Sequence, residues 1–234
     1  ELPEDPSLLS SMLLELGAFN SLSLTSEDKK RGELYRTQSM RKKLERSSTS
    51  IEDFYRSLEM RASIRPVDSL AILRAAQMTQ RTNQFNLTTR RYTDAEIAGL
   101  EQDPEVTVYT LRVKDTFGDS GLVGLAIFTQ SGNTHTLDTF LMSCRVLGHG
   151  IEKVFLGEIV ADAKRRGAND IKAEYMPTSK NGLAADFLRR CGFRLIAEDH
   201  TKRTTWELPL HDWSHTRSPF YTVKWHAAVA GSTR

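Results

Sequence analysis

The sequence contains few cysteines and no long apolar run. Its two cysteines, Cys144 and Cys191, form no C-x-x-C arrangement and have no nearby histidine at zinc spacing, so neither a disulfide framework nor a structural metal is expected. No apolar run is long enough to span a bilayer, and the opening ELPEDPS lacks the regions of a signal peptide. We therefore expect a cytoplasmic protein with reduced thiols, no bound metal and no membrane contact.

The sequence also lacks a block of charge of one sign. Its 32 Lys and Arg residues are interspersed with 30 Asp and Glu residues, which leaves a net charge of +2 at pH 7. This balance argues against nucleic-acid binding, although it is compatible with a local anion site. The chain begins at Glu1 rather than at a methionine, which indicates a piece of a longer protein.

The patterning divides the chain into three ranges. The pattern predicts a helical linker over residues 1–63, an α/β domain over residues 64–212 and a tail over residues 213–234. Three linker helices are predicted, in PSLLSSMLLELGAF, in LTSEDKKRGELYRTQSMRKKLERSS after a Thr25 cap, and in STSIEDFYRSLEMR after a Ser48 or Ser50 cap. The aromatic tail either covers an edge of the sheet or docks against another domain.

The central range predicts a mixed sheet. A helix near residues 70–78 and a second helix capped by Thr93 precede the strands VTVYTLRVKD, GLVGLAIFTQ and HTLDTFLMSC, whose alternation is typical of an antiparallel meander. They are followed by the helix GIEKVFLGEIVADAKRRG, the strand NDIKAEYM, the helix GLAADFLRRCG and the strands FRLIAED and TTWELPL. This order predicts an α/β fold in which helices flank a mixed sheet.

A glycine-containing loop, in LMSCRVLGHGIE, joins the third strand to the helix after it. A helix N-terminus offers unpaired N–H groups and the positive end of a dipole, which suit a phosphate. Glycines let the backbone approach such a ligand, and an arginine adds a charge-assisted hydrogen bond. The candidate phosphate-binding residues are Arg145, Val146, Leu147, Gly148 and Gly150.

Two spacings together resemble the motifs of the GNAT acyltransferase fold over about residues 65 to 210. They are R-x-x-G-x-G from Arg145, and N-x-x-A-x-x-hydrophobic-x-x-x-x-G-F from Asn181. The resemblance implies that the glycine loop binds the phosphates of a pantetheine-bearing coenzyme, with the pantetheine arm in a splay between two strands. One position departs from the pattern, since Leu188 stands where many members of the fold have a tyrosine that protonates the departing thiolate. Tyr175 could substitute for it.

Longer phrases are similar to the C-terminal half of the FkbH-like proteins. They are QMTQRTNQFNLTTRRYTDAEI, DTFGDSGLVGLAIF, LDTFLMSCRVLGHGIE and AEYMPTSKNGLAADF, and the first 36 residues look like the linker of that family. The resemblance implies loading of a D-glyceryl unit from 1,3-bisphosphoglycerate onto an acyl carrier protein for polyketide biosynthesis. The family's phosphatase half, of the haloacid dehalogenase superfamily, carries an Asp-x-Asp motif that this sequence lacks.

The FkbH-like resemblance implies two partners, the acyl carrier protein and the phosphatase domain. It implies phosphopantetheine on the carrier, or coenzyme A, as a ligand and no tightly bound cofactor. Cys144 would hold the glyceryl group as a thioester before passing it on, because a thiolate is a competent acyl acceptor. The alternative from the residues alone is a small buried hydrophobe at a strand end.

The remaining candidates each have two interpretations. His149 either assists as a base or is a turn residue between two glycines, and Asn181 either orients the pantetheine arm or caps a helix. Cys191 is expected to pack at a helix end. The candidate substrate-binding residues could bind glycerate hydroxyls or an oxyanion, but a loop held by its own side chains would look the same; they are Gln77, Thr79, Asn83, Gln84, Asn86 and Arg90.

Three functions are therefore open at the level of sequence. The first is glyceryl transfer through Cys144 to an acyl carrier protein. The second is coenzyme-A-dependent N-acyl transfer, against which Leu188 argues. The third is a non-catalytic module that positions a carrier protein for a separate phosphatase domain.

Overall fold

The computed structural model describes residues 26–226, and for residues 26–35 and 38 it describes the backbone alone. The helix predicted in PSLLSSMLLELGAF and the Thr25 cap lie outside the described residues. The chain forms two compact units, one ending at Ser47 and the other beginning at Ser48.

The first unit contains helix α1, Ser26–Ser47. It coincides with the charged helix that the sequence predicts, and none of its described side chains is buried. Within residues 26–226, no helix is both long enough and apolar enough to cross a membrane.

The second unit begins with helix α2, Ile51–Ser57, which Ser50 caps by accepting a hydrogen bond from the N–H of Asp53. Strand β1, Met60–Pro66, follows at once and pairs antiparallel with the next strand of the sheet. The sheet therefore begins inside the range that the sequence assigns to the linker. A strand signal is present, since Met60, Ala62 and Ile64 alternate with polar residues, but the predicted helix STSIEDFYRSLEMR extends over its start.

Two helices separate β1 from the antiparallel meander. Helix α3 spans Ile72–Arg81, and helix α4 spans Asp94–Gln102 with a complete capping box between Thr93 and Glu96. The meander consists of β2, Val106–Asp115, β3, Gly118–Ser131, and β4, Thr134–Met142. These three strands pair as predicted, each antiparallel to the next.

The second half of the sheet alternates strands with helices. Helix α5, Ile151–Arg165, leads to β5, Asp170–Tyr175, which runs parallel to β4. The short helix α6, Phe187–Arg190, leads to β6, Arg194–Glu198, and β7, Thr204–Pro209. With β8, Tyr221–Trp225, the strand order is β6-β7-β5-β4-β3-β2-β1-β8. The predicted α/β class with a mixed sheet flanked by helices is confirmed.

Apolar residues are buried on both faces of the sheet. One face packs against α3 and α4 through residues such as Met78, Ile97 and Leu125. On the other face the ring of Phe140 lies 5.4 Å from that of Phe155 on α5 and 5.1 Å from that of Phe187 on α6. These contacts fix the end of β4, and Cys144, the candidate nucleophile, lies two residues beyond it.

The tail crosses α5 and completes the sheet. Glu158 on α5 is buried and binds the tail through His215 Nε2, at 2.9 Å, and through Trp225 Nε1, at 2.7 Å. A Cβ atom on Gly157 would lie 2.9 Å from the ring of His215, so glycine permits this close approach. Since β8 pairs parallel with β1, residues 221–225 cover a sheet edge, which is the first of the two interpretations of the tail.

Candidate active site

Cys144 lies directly after β4, at the start of a 3-10 turn over Cys144–Val146. The N–H of Ser143 donates to the carbonyl of Val123, and the N–H of Val146 donates to the carbonyl of Ser143, so both sides of the cysteine are fixed. Its side chain is exposed. The interpretation as a buried hydrophobe is therefore wrong, and the thiol is accessible to a substrate.

The thiol opens into a cleft of about 410 Å³ between α3 and the end of β4. Three arginines line this cleft, Arg74, Arg81 and Arg145, and none of the described residues that line it is acidic. Burial lowers the pKa of Arg145, and the charge of Arg74 lowers it further, which shows that the two cations lie near each other. Such a cleft suits an anion beside Cys144.

Three of the predicted substrate-binding residues line the same cleft, namely Gln77, Asn83 and Gln84. The side chain of Arg74 donates to Gln77 Oε1 at 3.3 Å, and that of Arg91 donates to Asn83 Oδ1. The cleft therefore combines amide groups, cations and a thiol, although the residues from Arg74 to Gln84 lie 60 to 70 positions before Cys144 in the sequence.

The other three lie elsewhere and bind the protein itself. Thr79 is buried and donates to the carbonyl of Ala76 at 2.8 Å. Asn86 is also buried, and its Oδ1 accepts the N–H of Thr89 at 2.9 Å. Arg90 forms ion pairs with Asp138 and Glu174. For these three residues the structure matches the alternative of a loop held by its own side chains.

Residues 85–88 lie between the ends of β4 and β5, where these two strands do not pair with each other. These parallel strands pair only from Thr134 to Leu137 of β4, and residues 85–88, all buried, lie beyond that point. The N–H of Leu87 donates to the carbonyl of Phe140 at 3.1 Å, and its carbonyl accepts the N–H of Met176 at 2.8 Å. Residues 85–88 thus occupy the space implied for a pantetheine arm, because Leu87 bonds to Phe140 of β4 and to Met176, which follows β5.

Asn181 secures that segment. It is fully buried, and its Nδ2 donates to the carbonyls of Asn86 and Met176, each at 2.9 Å. Its Oδ1 accepts the N–H of Thr178 at 2.7 Å. The side chain makes no helix-capping hydrogen bond, and its oxygen and nitrogen both bind the protein itself.

The predicted phosphate loop has the conformation that requires glycine. Gly148 and Gly150 have φ of 87° and 77°, and a Cβ atom on either would meet nothing within 4 Å. Helix α5 begins at Ile151, and the N–H of Lys153 in its first turn already donates to the carbonyl of Gly150 at 3.2 Å. A phosphate at this helix end would therefore bind the N–H groups that precede Lys153. Val146 is buried and Leu147 half-buried, so their side chains anchor the loop.

Two tyrosines hold the loop from the other side. The hydroxyl of Tyr55 donates to the carbonyl of Gly148 at 2.9 Å, and that of Tyr221 donates to the carbonyl of His149 at 2.8 Å. The carbonyl groups of the loop are thereby directed into the protein. The tyrosines come from α2 and β8, which the sequence assigned to the linker and the tail.

His149 lies in an aromatic cluster. Its ring centroid is 5.9 Å from that of Phe54 and 6.0 Å from that of Tyr55. It is not among the residues that line the thiol cleft. The structure therefore gives no geometric support to His149 as a base for Cys144.

Tyr175, the residue considered as a replacement acid, does not line the cleft, and Leu188 stands at the position of the missing tyrosine. Leu188 is buried. The hydroxyl of Tyr175 lies 3.3 Å from Asn181 Oδ1 as a donor, and burial raises its pKa. Cys191 is half-buried at the end of α6, and burial raises the pKa of its thiol to about 12.

Sequence reasoning missed Arg74 and Arg81 of the cleft. A signal for them is present, since Arg74, Gln77 and Arg81 follow the i, i+3, i+7 spacing that places side chains on one face of a helix. Ser143, which accepts from Arg145 Nε at 3.1 Å, was also missed. Within residues 26–226, no group of three or more His, Cys, Asp or Glu side chains is placed to hold a metal ion.

Comparisons with known proteins identify the fold. No family model matches the sequence, and no curated protein matches it. The structure is similar to the ribosomal-protein-S18-alanine N-acetyltransferase of Escherichia coli. The match has 14% sequence identity and a TM-score of 0.50, and it covers 67% of this chain and 99% of that chain. It is also similar to a domain from Methanocaldococcus jannaschii, with 14% identity, 64% and 99% coverage and a TM-score of 0.51. The GNAT domain of S. lividans PAT gives 14% identity, 63% and 89% coverage and a TM-score of 0.50. The second unit of this chain therefore has a GNAT-like fold.

Proposed function

We propose that this chain is an acyltransferase in which Cys144 accepts a D-glyceryl group and passes it to the phosphopantetheine thiol of an acyl carrier protein. The observation that carries the proposal is the exposed thiol of Cys144 in a cationic cleft. The glyceryl group, the carrier protein, the separate phosphatase domain and a place in polyketide biosynthesis rest on the resemblance to FkbH-like proteins. A reduced catalytic thiol fits a cytoplasmic location.

The reaction proceeds in two thioester steps. The Cys144 thiolate attacks the acyl carbon of the 1,3-bisphosphoglycerate-derived acyl phosphate, the bond from that carbon to the phosphate oxygen breaks, and phosphate leaves with the electron pair. The pantetheine thiol then loses its proton to solvent and attacks the thioester carbon. The carbon–sulfur bond breaks, and the Cys144 thiolate leaves.

The residues of the cleft supply binding and charge. Arg74, Arg81 and Arg145 bind the phosphate of the donor. Gln77, Asn83 and Gln84 bind the glyceryl hydroxyls and the oxyanion that forms during attack. The loop at Gly148 and Gly150 offers backbone N–H groups to the phosphate of the pantetheine arm.

Coenzyme-A-dependent N-acyl transfer is compatible with the same fold, but the site favours the thioester relay. A pantetheine arm that entered between β4 and β5 would have to displace residues 85–88 and their hydrogen bonds. Leu188 provides no acid, and the Tyr175 hydroxyl is directed at Asn181. The third function, a non-catalytic module, gives no role to an exposed thiol among three arginines.

The test is formation of an adduct on Cys144. The protein is incubated with the N-acetylcysteamine thioester of D-glycerate, and its intact mass is measured before and after hydroxylamine. We expect one hydroxylamine-labile glyceryl group, which is lost in Cys144→Ala and retained in the matched variant Cys191→Ala. An adduct that persists in Cys144→Ala removes this thiol from the reaction. Acetylation of an amine by acetyl-coenzyme A without any adduct would favour the second function.

A further inference from the structure

A second depression adjoins the thiol cleft. It has a volume of about 430 Å³ and shares Arg74 with the cleft that contains Cys144. It lies between β1, β2 and the start of α3, and its lining residues are Arg65, Asp68, Leu70, Ala71, Arg74, Thr110, Arg112 and Leu122. A macromolecule bound here would lie directly beside the entrance to the thiol.

Two exposed leucines belong to this region: Leu70 lines the depression, and Leu73 is the neighbour in sequence of Arg74, which also lines it. Leu70, in the turn before α3, is 92% exposed, and Leu73, in the first turn of α3, is 59% exposed. An exposed leucine alone is ordinary on a protein surface. Two of them beside a depression provide apolar area that a partner can cover.

The charge around these leucines is positive. Arg65, Arg74 and Arg112 line the depression, and Asp68 is the one carboxylate among its described lining residues. Arg65 pairs with Asp68 at 3.4 Å and Arg112 with Asp119 at 3.2 Å, both at partly exposed positions. Exposed pairs of this kind contribute little to stability, so the arginines remain able to bind another carboxylate. The Arg74 guanidinium binds an uncharged amide.

We propose that the docking surface, formed by Arg65, Leu70, Leu73, Arg74 and Arg112, binds the acyl carrier protein through an acidic helix with an exposed apolar residue. The inference rests on the proposed function, which supplies the partner. The arginines of the surface are complementary in charge to an acidic helix, and Leu70 and Leu73 would pack against the apolar residue of that helix. Arg74 connects this surface to the cleft, so a carrier bound here presents its pantetheine arm to Cys144.

Equilibrium binding tests the surface without relying on the chemistry. The 234-residue protein is titrated with a fluorescently labelled holo acyl carrier protein at low ionic strength. Arg112→Glu and Leu70→Asp are each expected to weaken binding about tenfold, and added salt is expected to weaken binding of the unaltered protein. Glyceryl transfer from Cys144 to N-acetylcysteamine, which is too small to use the surface, is expected to stay unchanged.

Matched controls lie at the far edge of the sheet, on β6. Arg194 is exposed and pairs with Glu207 at 2.8 Å, as Arg112 pairs with Asp119, and Leu195 is 50% exposed. Arg194→Glu and Leu195→Asp are expected to bind the carrier like the unaltered protein. Equal binding by all four variants, or no binding by the unaltered protein, overturns the docking surface. If the unaltered protein forms no adduct at Cys144, the proposed function is overturned. The binding comparison still decides whether the carrier protein uses this surface.

Discussion

At the scale of single residues, Glu152 is a carboxylate that the fold does not satisfy. It lies in the first turn of α5, where it is buried, and its Oε2 has no hydrogen-bond partner among the described residues. Burial raises the pKa of Glu152 above its ordinary value of 4.5, against the smaller opposing effects of a hydrogen bond from its own backbone and of the charges of Arg190 and Lys153. The charged form is therefore destabilised in the folded protein.

This pKa shift predicts the pH dependence of stability. Between 4.5 and the raised value, the folded state binds more protons at Glu152 than the unfolded state does, so the contribution to stability falls as pH rises through that window. We expect Glu152→Gln to raise the free energy of unfolding by on the order of 1 kcal/mol at pH 7. The gain should vanish below about pH 4, where the carboxyl is protonated in both states. Urea unfolding at both pH values measures it, and a pH-independent gain would contradict the assignment.

The two cysteines show that residue type and sequence neighbours do not determine whether a side chain is exposed. Both follow an apolar element and both have an arginine next to them in the sequence. Cys144 is exposed because β4 ends at Met142 and the chain turns to solvent, whereas Cys191 is half-buried at the end of α6. Neighbouring residues did not distinguish the two, because exposure depends on how the elements pack.

At the scale of elements, the glycine loop is held by two hydroxyl groups. The tyrosines that donate to the carbonyls of Gly148 and His149 are Tyr55 and Tyr221. Tyr55→Phe and Tyr221→Phe keep the ring packing and remove the hydrogen bond. If these bonds position the N–H groups of the loop, each variant raises KM for a phosphopantetheine acceptor about fivefold, since such a bond contributes about 1 kcal/mol.

Pantetheine without its phosphate is the control acceptor. It shows whether the tyrosines act by positioning the N–H groups of the loop or by a general effect on the structure. KM for pantetheine without its phosphate should not change in either tyrosine variant, because that acceptor has no group for the loop to bind. The value of kcat should also stay constant with both acceptors. An equal rise in KM for both acceptors would show that the tyrosines do not act through a phosphate site.

The segment that fills the gap between β4 and β5 depends on Asn181. Asn181→Ala removes the donors to the carbonyl of buried Asn86 and to that of half-buried Met176. We expect the free energy of unfolding to fall by about 2 to 4 kcal/mol and the amide of Leu87 to exchange faster with deuterium. Asn133→Ala, at an exposed position, should change stability by less than about 0.5 kcal/mol. Unchanged exchange at Leu87 would contradict the fastening role.

Local patterns predicted most elements of the domain with short errors at their ends, but they missed strands β1 and β8. The strand predicted as VTVYTLRVKD coincides with β2, and Thr93 caps α4 as predicted. The helix GLAADFLRRCG was predicted as continuous, whereas the structure has a 3-10 turn at Gly182–Ala184 and a short α6. The side chain of Asn181, just before this turn, binds Asn86, Met176 and Thr178 and makes no capping hydrogen bond.

At the scale of the whole molecule, a buried carboxylate fastens the tail. Glu158 binds His215 and Trp225 from within α5. We expect Glu158→Ala to lower the free energy of unfolding by about 3 kcal/mol, since it leaves the Trp225 N–H unpaired and opens a small cavity. Limited proteolysis should then cleave residues 211–220 faster than in the unaltered protein. Glu198→Ala on exposed β6 is the control, and equal cleavage of both variants would contradict the fastening.

The sequence by itself determined the α/β class, the meander, the helix caps and the loop with its glycines. These follow from patterns within about ten residues of one another, and positive φ at Gly148 and Gly150 is a property of the backbone there. Only the tertiary structure decided that residues 85–88 fill the gap between β4 and β5, that Arg74 and Arg81 lie beside Cys144, and that β8 pairs with β1. Each of these depends on hydrogen bonds or packing between residues far apart in the chain, which a local pattern does not specify.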